Sequence, residues 1–458
     1  MSYKIGKSAH DRFIMALLMW WNGPYPSVIT LTISMDMNML KSSQVFTPGA
    51  FPVHTFVDDH LIEKKEQLLD TLDMGSMLIS ISGPSKSGKT VFVEQCLGRE
   101  SLVQVTGAGV AKPEDLWLKV FDILGTPILE SNSTTSSSGG KVAGSGQLEG
   151  NAIFAKGKAG VTVESSRSDS ETTSSSFSVD CLQLLIRELA GTDFIVFIDD
   201  FHYIPKSTQS EIAKQIKEAI RQGVRFICAS VPYHSDDVIR GNPDLRGRVF
   251  SIDFEYWGNE ILKKIAYKGF PRLNISYRNT AIDVLSSEAA GSPQLMQYLC
   301  LNACYELGVR AYSDGLIELI NDKEMLRKVC RRTVLSTDYG SIVEKMKEGP
   351  KTRGSDRLIH QTKYGWDGDV YRLLVKALSL DPPTLTFRYT PLNERIVGMC
   401  KTAGPSGSSI IGACEHSARI VNDAALDRIV EWDGENDVFD IRDPYFLFFL
   451  RWSDITDN

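Results

Sequence analysis

Short apolar runs separated by polar, helix-compatible stretches recur along the first half of the chain. Met77–Ser82, Ser101–Val105, Phe194–Asp200 (FIVFIDD), Val224–Ser230 and Val249–Phe254 read as strands. In Phe194–Asp200 and Val224–Ser230 the apolar residues run together rather than alternating with polar ones, so these two read as buried strands. Between them, Val91–Leu97, Pro113–Leu124, Leu182–Leu189 and Gln209–Gln222 carry helical patterns. Strands alternating with helices predict a parallel sheet covered on both faces. From Trp257 to Leu335 the period changes, with apolar positions three and four apart in Ala281–Leu285 and Leu295–Cys304, which predicts helices. The last stretch reads as a helix (Val370–Leu380), a Thr-rich strand (Leu385–Tyr389), helices over Pro391–Met399 and Ser406–Val421, and a hairpin turning at Asp433-Gly434. That order is the outline of a winged helix.

One stretch breaks the alternation. Between Ser131 and Val179, 19 of 49 residues are Ser or Thr and 7 are Gly, too few large apolar groups to bury a core. It reads as a surface insertion, with a weakly alternating hairpin candidate at Asn151–Glu164.

Charge narrows the function classes. With 50 Lys+Arg against 57 Asp+Glu, the net charge of −7 excludes a basic nucleic-acid coat. The exception is Arg327–Lys376, with 12 basic against 6 acidic residues. The eight cysteines are scattered without a C-x-x-C pair, which predicts reduced core residues of a cytoplasmic protein and no side-chain zinc site. No apolar run has the length of a membrane span. Phe13–Trp21 follows Lys4, Lys7 and Arg12 in the charge order of a signal peptide, yet Asn22-Gly23-Pro24 follows without a small-residue cleavage site. Met35, Met37 and Met39 leave the true start of the chain open.

The chemistry is concentrated at Gly83-Pro-Ser-Lys-Ser-Gly88-Lys89-Thr90, a full G-x4-G-K-[ST] match entered by an apolar strand and left by a helical run. Such a loop surrounds a triphosphate with backbone N–H groups and a helix N-terminus. Gly83, Pro84, Ser85, Lys86, Ser87, Gly88, Lys89, Thr90 and Val91 are therefore the predicted nucleotide-binding residues. Lys89 would neutralise the β and γ phosphates, and Thr90 would hold Mg²⁺. Asp199, at the end of FIVFIDD, is the predicted second metal residue, and Asp200 beside it the predicted general base. An aspartate is one methylene shorter than the glutamate usual there, which predicts slow hydrolysis. Ser230 is a candidate γ-phosphate sensor or a plain turn cap. In Asp244-Leu-Arg246-Gly-Arg248, Arg248 is a candidate to reach a phosphate in a neighbouring subunit, or else a surface ion-pair residue. Pro293, in Gly291-Ser-Pro-Gln294, would fix a turn over the base and ribose.

The order VFTPG (Val45–Gly49), GPSKSGKT, FIDD, a strand ending in Ser230, LRGRV (Leu245–Val249) and GSPQL (Gly291–Leu295) resembles the AAA+/STAND class of P-loop ATPases. The likeness is to archaeal-type and origin-recognition-type ATP-binding proteins of prokaryotes. The closing Ile441–Trp452 (IRDPYFLFFLRW) is similar to the ending of the archaeal ATPase group. This resemblance implies an α/β P-loop NTPase sheet with a helical lid and a C-terminal winged-helix domain. The corresponding division is an extension over 1–44, an ATPase core over 45–256 with the insertion at 131–179, a lid over 257–347, a linker over 348–365 and a winged-helix-like domain over 366–458. It also implies ATP·Mg²⁺ binding and a signalling or defence-type switch acting on a partner protein, in an oligomer or alone. GSP in place of an arginine-bearing lid motif argues against a motor. The alternative is an origin-recognition-like DNA-binding ATPase. Charge disfavours it, because Thr384–Trp432 carries five basic and five acidic residues, without the excess that phosphate contacts require.

Overall fold

Five strands form the central sheet: β1 (Leu78–Ser82), β2 (Leu102–Thr106), β3 (Ile195–Asp199), β4 (Arg225–Ser230) and β5 (Val249–Asp253). Their order is β2-β3-β4-β1-β5 and every pairing is parallel. In the register, Ser82 stands beside Ser230, and Asp199 one residue beyond the Ile198–Cys228 pair, so the functional strand ends share one edge. The molecule is known from a computed structural model that describes residues 40–127, 180–231, 245, 247–334, 338–351, 356–425 and 428–453. The predicted insertion over 131–179, with its hairpin candidate, and residues 1–39 of the predicted extension lie outside the described residues.

Helices α1 (Ile62–Met74), α2 (Lys89–Leu97), α3 (Pro113–Leu124), α4 (Cys181–Leu189) and α5 (Lys206–Arg221) pack on this sheet. Helix α3 has the predicted bounds because both ends are fixed chemically. Pro113 sits at its first position, where no N–H is needed, and Gly125 ends it in a left-handed turn. The two faces of the sheet bury separate apolar cores, one around Trp117, Phe121 and Phe226, the other around Phe92, Phe197 and Phe254.

A third core joins everything that follows. Helices α6 (Asn259–Gly269), α7 (Asn279–Glu288), α8 (Pro293–Glu306), α9 (Lys323–Val334) and α10 (Gly340–Glu348) share it with α11 (Val370–Ser379), α12 (Tyr389–Met399), α13 (Gly407–Ala424) and α14 (Pro444–Trp452). In the C-terminal part, the strand Thr386–Arg388 pairs with Val438–Ile441, the second strand of a hairpin begun by Val430–Asp433. The predicted order of helix, strand, two helices and hairpin is thus present.

The boundary expected at residue 44 is not a structural one. Leu40 and Lys41 pair with Tyr312 and Ala311, and the buried Ser42 donates a hydrogen bond to the Val309 carbonyl at 2.9 Å. Val45 and Phe46 are fully buried in the same core, so residues 40–44 belong with the helices after β5.

Candidate nucleotide site

The loop after β1 is shaped by its glycines. A Cβ on Gly83 would come within 2.4 Å of the Phe254 side chain, and Gly88 has φ +96°, which a side chain disfavours. Helix α2 starts at Lys89, one residue beyond Gly88, so its free N–H end opens onto the loop. The Lys89 ammonium donates to the Gly83 and Pro84 carbonyls, both at 2.8 Å, and folds back across the loop it leaves. Burial pulls Lys89 down from the usual lysine range to about 8, against the opposing pull of the Asp199 and Asp200 carboxylates. The Ser87 hydroxyl in the same loop is buried and has no hydrogen-bond partner among the described residues.

The acidic partner comes from β3. Thr90 Oγ1 donates to Asp199 Oδ2 at 2.6 Å, while Asp199 Oδ1 accepts the Asp200 N–H at 2.9 Å. Asp200, the residue after β3, has a left-handed backbone, φ +54°, a conformation aspartate tolerates better than most side chains. Lys89, Thr90, Asp199 and Asp200 line one cavity of about 460 Å³. A strand of a parallel sheet with this glycine-bracketed loop, its lysine and a carboxylate on an adjacent strand end leaves one assignment. This is the P-loop NTPase fold.

Pro293 and Gln294 line the far wall of the P-loop cavity, together with Thr47–Phe51 and Trp257. Gln294 Nε2 donates to the Pro48 carbonyl at 2.8 Å. Gln297 accepts from the Thr47 N–H at 3.2 Å and donates to Thr55 Oγ1 at 2.7 Å. Pro293 itself is the first residue of α8, capped by Ser292, whose hydroxyl accepts the Leu295 N–H. Trp257 closes the side between wall and loop. Its Nε1 donates to the Ser87 carbonyl at 3.1 Å, and its own N–H reaches the Gly291 carbonyl at 2.9 Å. His60 packs edge-on against the indole, with ring centroids 4.4 Å apart. Burial lowers the His60 pKa.

The predicted residues thus divide. Pro84–Ser87 lie in the loop, and Val91 follows Thr90 in α2 and lines the cavity with it. Ser230 is buried at the end of β4, at the same sheet edge, while the next residue, Val231, reaches the cavity. Arg248 is not brought to this site. It is exposed at the start of β5, where its carbonyl accepts the Leu78 N–H, so the length of β1, roughly 16 Å, separates it from the loop. Its neighbour Arg246 lies outside the described residues. Trp257 and Gln297 escaped sequence reasoning because their contacts span long separations and follow no motif, and Gln294 stood inside the GSPQL stretch without a role.

No protein-family profile matches the chain, and no curated protein matches it in sequence. Solved structures that superpose on it include Cdc6p from Pyrobaculum aerophilum, at 13% identity over 92% of this chain and 99% of that one, TM-score 0.41. The Aeropyrum pernix ORC2 protein matches at 12% identity over 92% and 98%, TM-score 0.47. The Walker-type ATPase PABY2304 of Pyrococcus abyssi matches at 12% over 85% and 95%, also with TM-score 0.47.

Among the described residues no helix is long and apolar enough to cross a membrane. All eight cysteines are free, seven of them buried, and burial raises the thiol pKa values of all eight.

Proposed function

We propose that the chain binds Mg·ATP in the P-loop cavity and hydrolyses it slowly, as a switch ATPase of the AAA+/STAND type whose nucleotide state is read by a partner protein. The observation that carries this reading is the grouping of the Lys89 ammonium, the Thr90–Asp199 oxygen pair and Asp200 around one cavity. Lys89 spends two donors on loop carbonyls, and its remaining N–H would be left for a phosphate. Thr90 and Asp199 offer hard oxygens 2.6 Å apart, which fit a magnesium shell. Bound there, Mg²⁺ would supply positive charge to the phosphate oxygens. Asp200 accepts the proton of the attacking water, while Ser230 lies buried at the end of β4 and Val231 rather than Ser230 lines the cavity. The apolar wall at Pro48, Phe51 and Pro293 takes the base. Arg248 can act only on a phosphate bound by a second copy.

The winged-helix part serves protein contact rather than DNA. Its hairpin bears Glu431, Asp433, Glu435 and Asp440 around a groove with only Arg388 and Arg442 opposite, and Arg442 is already paired to Glu431 and Asp440. This charge opposes a phosphodiester backbone.

Asp200→Asn tests the assignment. It should bind Mg·ATP about as the parent does, while phosphate release falls by roughly 10²- to 10⁴-fold. Parent-like turnover would place the base on another residue.

A further inference from the structure

Lys86 occupies one of the variable positions of the phosphate-loop motif, yet its side chain is the loop's link to the C-terminus. Its ammonium lies 4.1 Å from the centroid of the Tyr445 ring and 3.7 Å from Asp443 Oδ2. Both partners belong to the first turn of α14, where Asp443 also caps the helix by accepting the Tyr445 N–H at 2.9 Å. The hydroxyl of Tyr339, at the start of α10, donates to the same carboxylate at 2.5 Å. A second strut runs alongside, from the Tyr256 hydroxyl to the Arg442 carbonyl at 2.8 Å.

The backbone of Lys86 makes this link more than an ordinary surface pair. At φ +62° it stands in the left-handed region, which a lysine keeps only when something holds it there. A half-exposed ion pair alone holds little. An ion pair combined with an aromatic face, on a ring that is itself buried, holds more. At the other end of α14, Arg451 makes a two-pronged pair with the buried Glu288 of α7, and Trp452 Nε1 donates to the same carboxylate at 2.7 Å. Helix α14 is therefore fixed to the helices after β5, and through Lys86 it fixes the corner of the phosphate loop.

We infer that Asp443 and Tyr445 are positioning residues of the nucleotide site, setting the loop through Lys86, so that nucleotide affinity depends on where the C-terminal helix sits. This rests on the Mg·ATP reading above and names the element that site would regulate, or be regulated by. The loop corner and the first turn of α14 form one mechanical unit, and a C-terminal segment that moved away would release Lys86 from its left-handed conformation.

A double-mutant cycle on the full chain tests it, with a fluorescent ATP analogue and Mg²⁺ as the probe. Asp443→Asn keeps a cap oxygen for α14 but removes the charge, and Lys86→Ala removes the other end. Each should weaken binding about 3- to 10-fold, and the double variant should bind no worse than the weaker single one. Losses that multiply, or single variants that bind like the parent, would overturn the inference. If Asp443→Asn melts the protein, Tyr445→Leu takes its place in the cycle, with the same two outcomes. Lys89→Ala is run in parallel. A parent that binds and a Lys89 variant that does not, together with a silent or independent Lys86–Asp443 pair, would defeat this inference alone. A parent that does not bind would defeat the Mg·ATP reading as well.

Discussion

The loop after β1 and the helix that ends the chain are built on opposite principles, and the contrast explains what each can do. Around Gly83–Thr90 the polar groups lie within a few residues of one another, on a strand end and a helix start. The chemistry there is local, and a motif can record it. Helix α14 instead buries seven successive residues, Pro444–Leu450, on every side. A helix with no exposed face carries no amphipathic period, and its function sits at its two polar ends, Asp443 and Arg451. The first region gathers polar groups around a cavity with little packing of its own. The second transmits position, with charges spent on holding a buried rod in place.

The largest effect should come from unpinning that rod. Arg451 and Glu288 are each only 6% exposed, so Arg451→Met leaves a buried carboxylate without its cation. Urea unfolding should show a loss of about 3–5 kcal/mol. A loss under about 1 kcal/mol would mean that apolar packing alone holds α14, and the contrast between the regions would weaken.

A smaller effect should follow at the loop. Asp199→Asn turns one oxygen of the Thr90–Asp199 pair into an amide, which should weaken Mg²⁺-dependent nucleotide binding by about 10- to 100-fold and leave metal-free binding nearly unchanged. Titrating Mg²⁺ at fixed nucleotide separates the two.

The smallest is a pH dependence. A bound phosphate favours the charged form of Lys89, so affinity is fully developed below about 8 and falls as pH rises through that value, by at most about tenfold per unit. The fall stops where the lysine of the complex, raised by the phosphate, also loses its proton. Lys89→Arg, which stays charged, should bind without this step.

Legibility in the sequence followed the same division. Buried strands and the proline-to-glycine helix α3 could be read because the cause of each lies within its own residues. Thr90, Asp199 and Asp200 could be paired because strand ends of a parallel sheet converge on one edge. Arg248, read as reaching a phosphate in a neighbouring subunit or as a surface ion-pair residue, is exposed at the opposite end of β1 from the loop, which agrees with either reading. The docking of residues 40–44 depends on Val309 and Tyr312, and the Trp257 hydrogen bond to Ser87 on a residue 170 positions away, so no local pattern records either. Lys86 reads only as one of the nucleotide-binding loop residues, because its contacts with Asp443 and Tyr445 follow no local pattern.

The central claim, that the cavity at the end of β1 is a Mg·ATP site built on Lys89, is tested most directly by calorimetric titration of Mg·ATP into the parent and into Lys89→Ala. The parent should bind at one site per chain. The variant should stay folded, since only a loop cation is removed, and lose about 2–5 kcal/mol of binding, tens- to thousands-fold in Kd. A folded Lys89→Ala protein that binds Mg·ATP as tightly as the parent would contradict it.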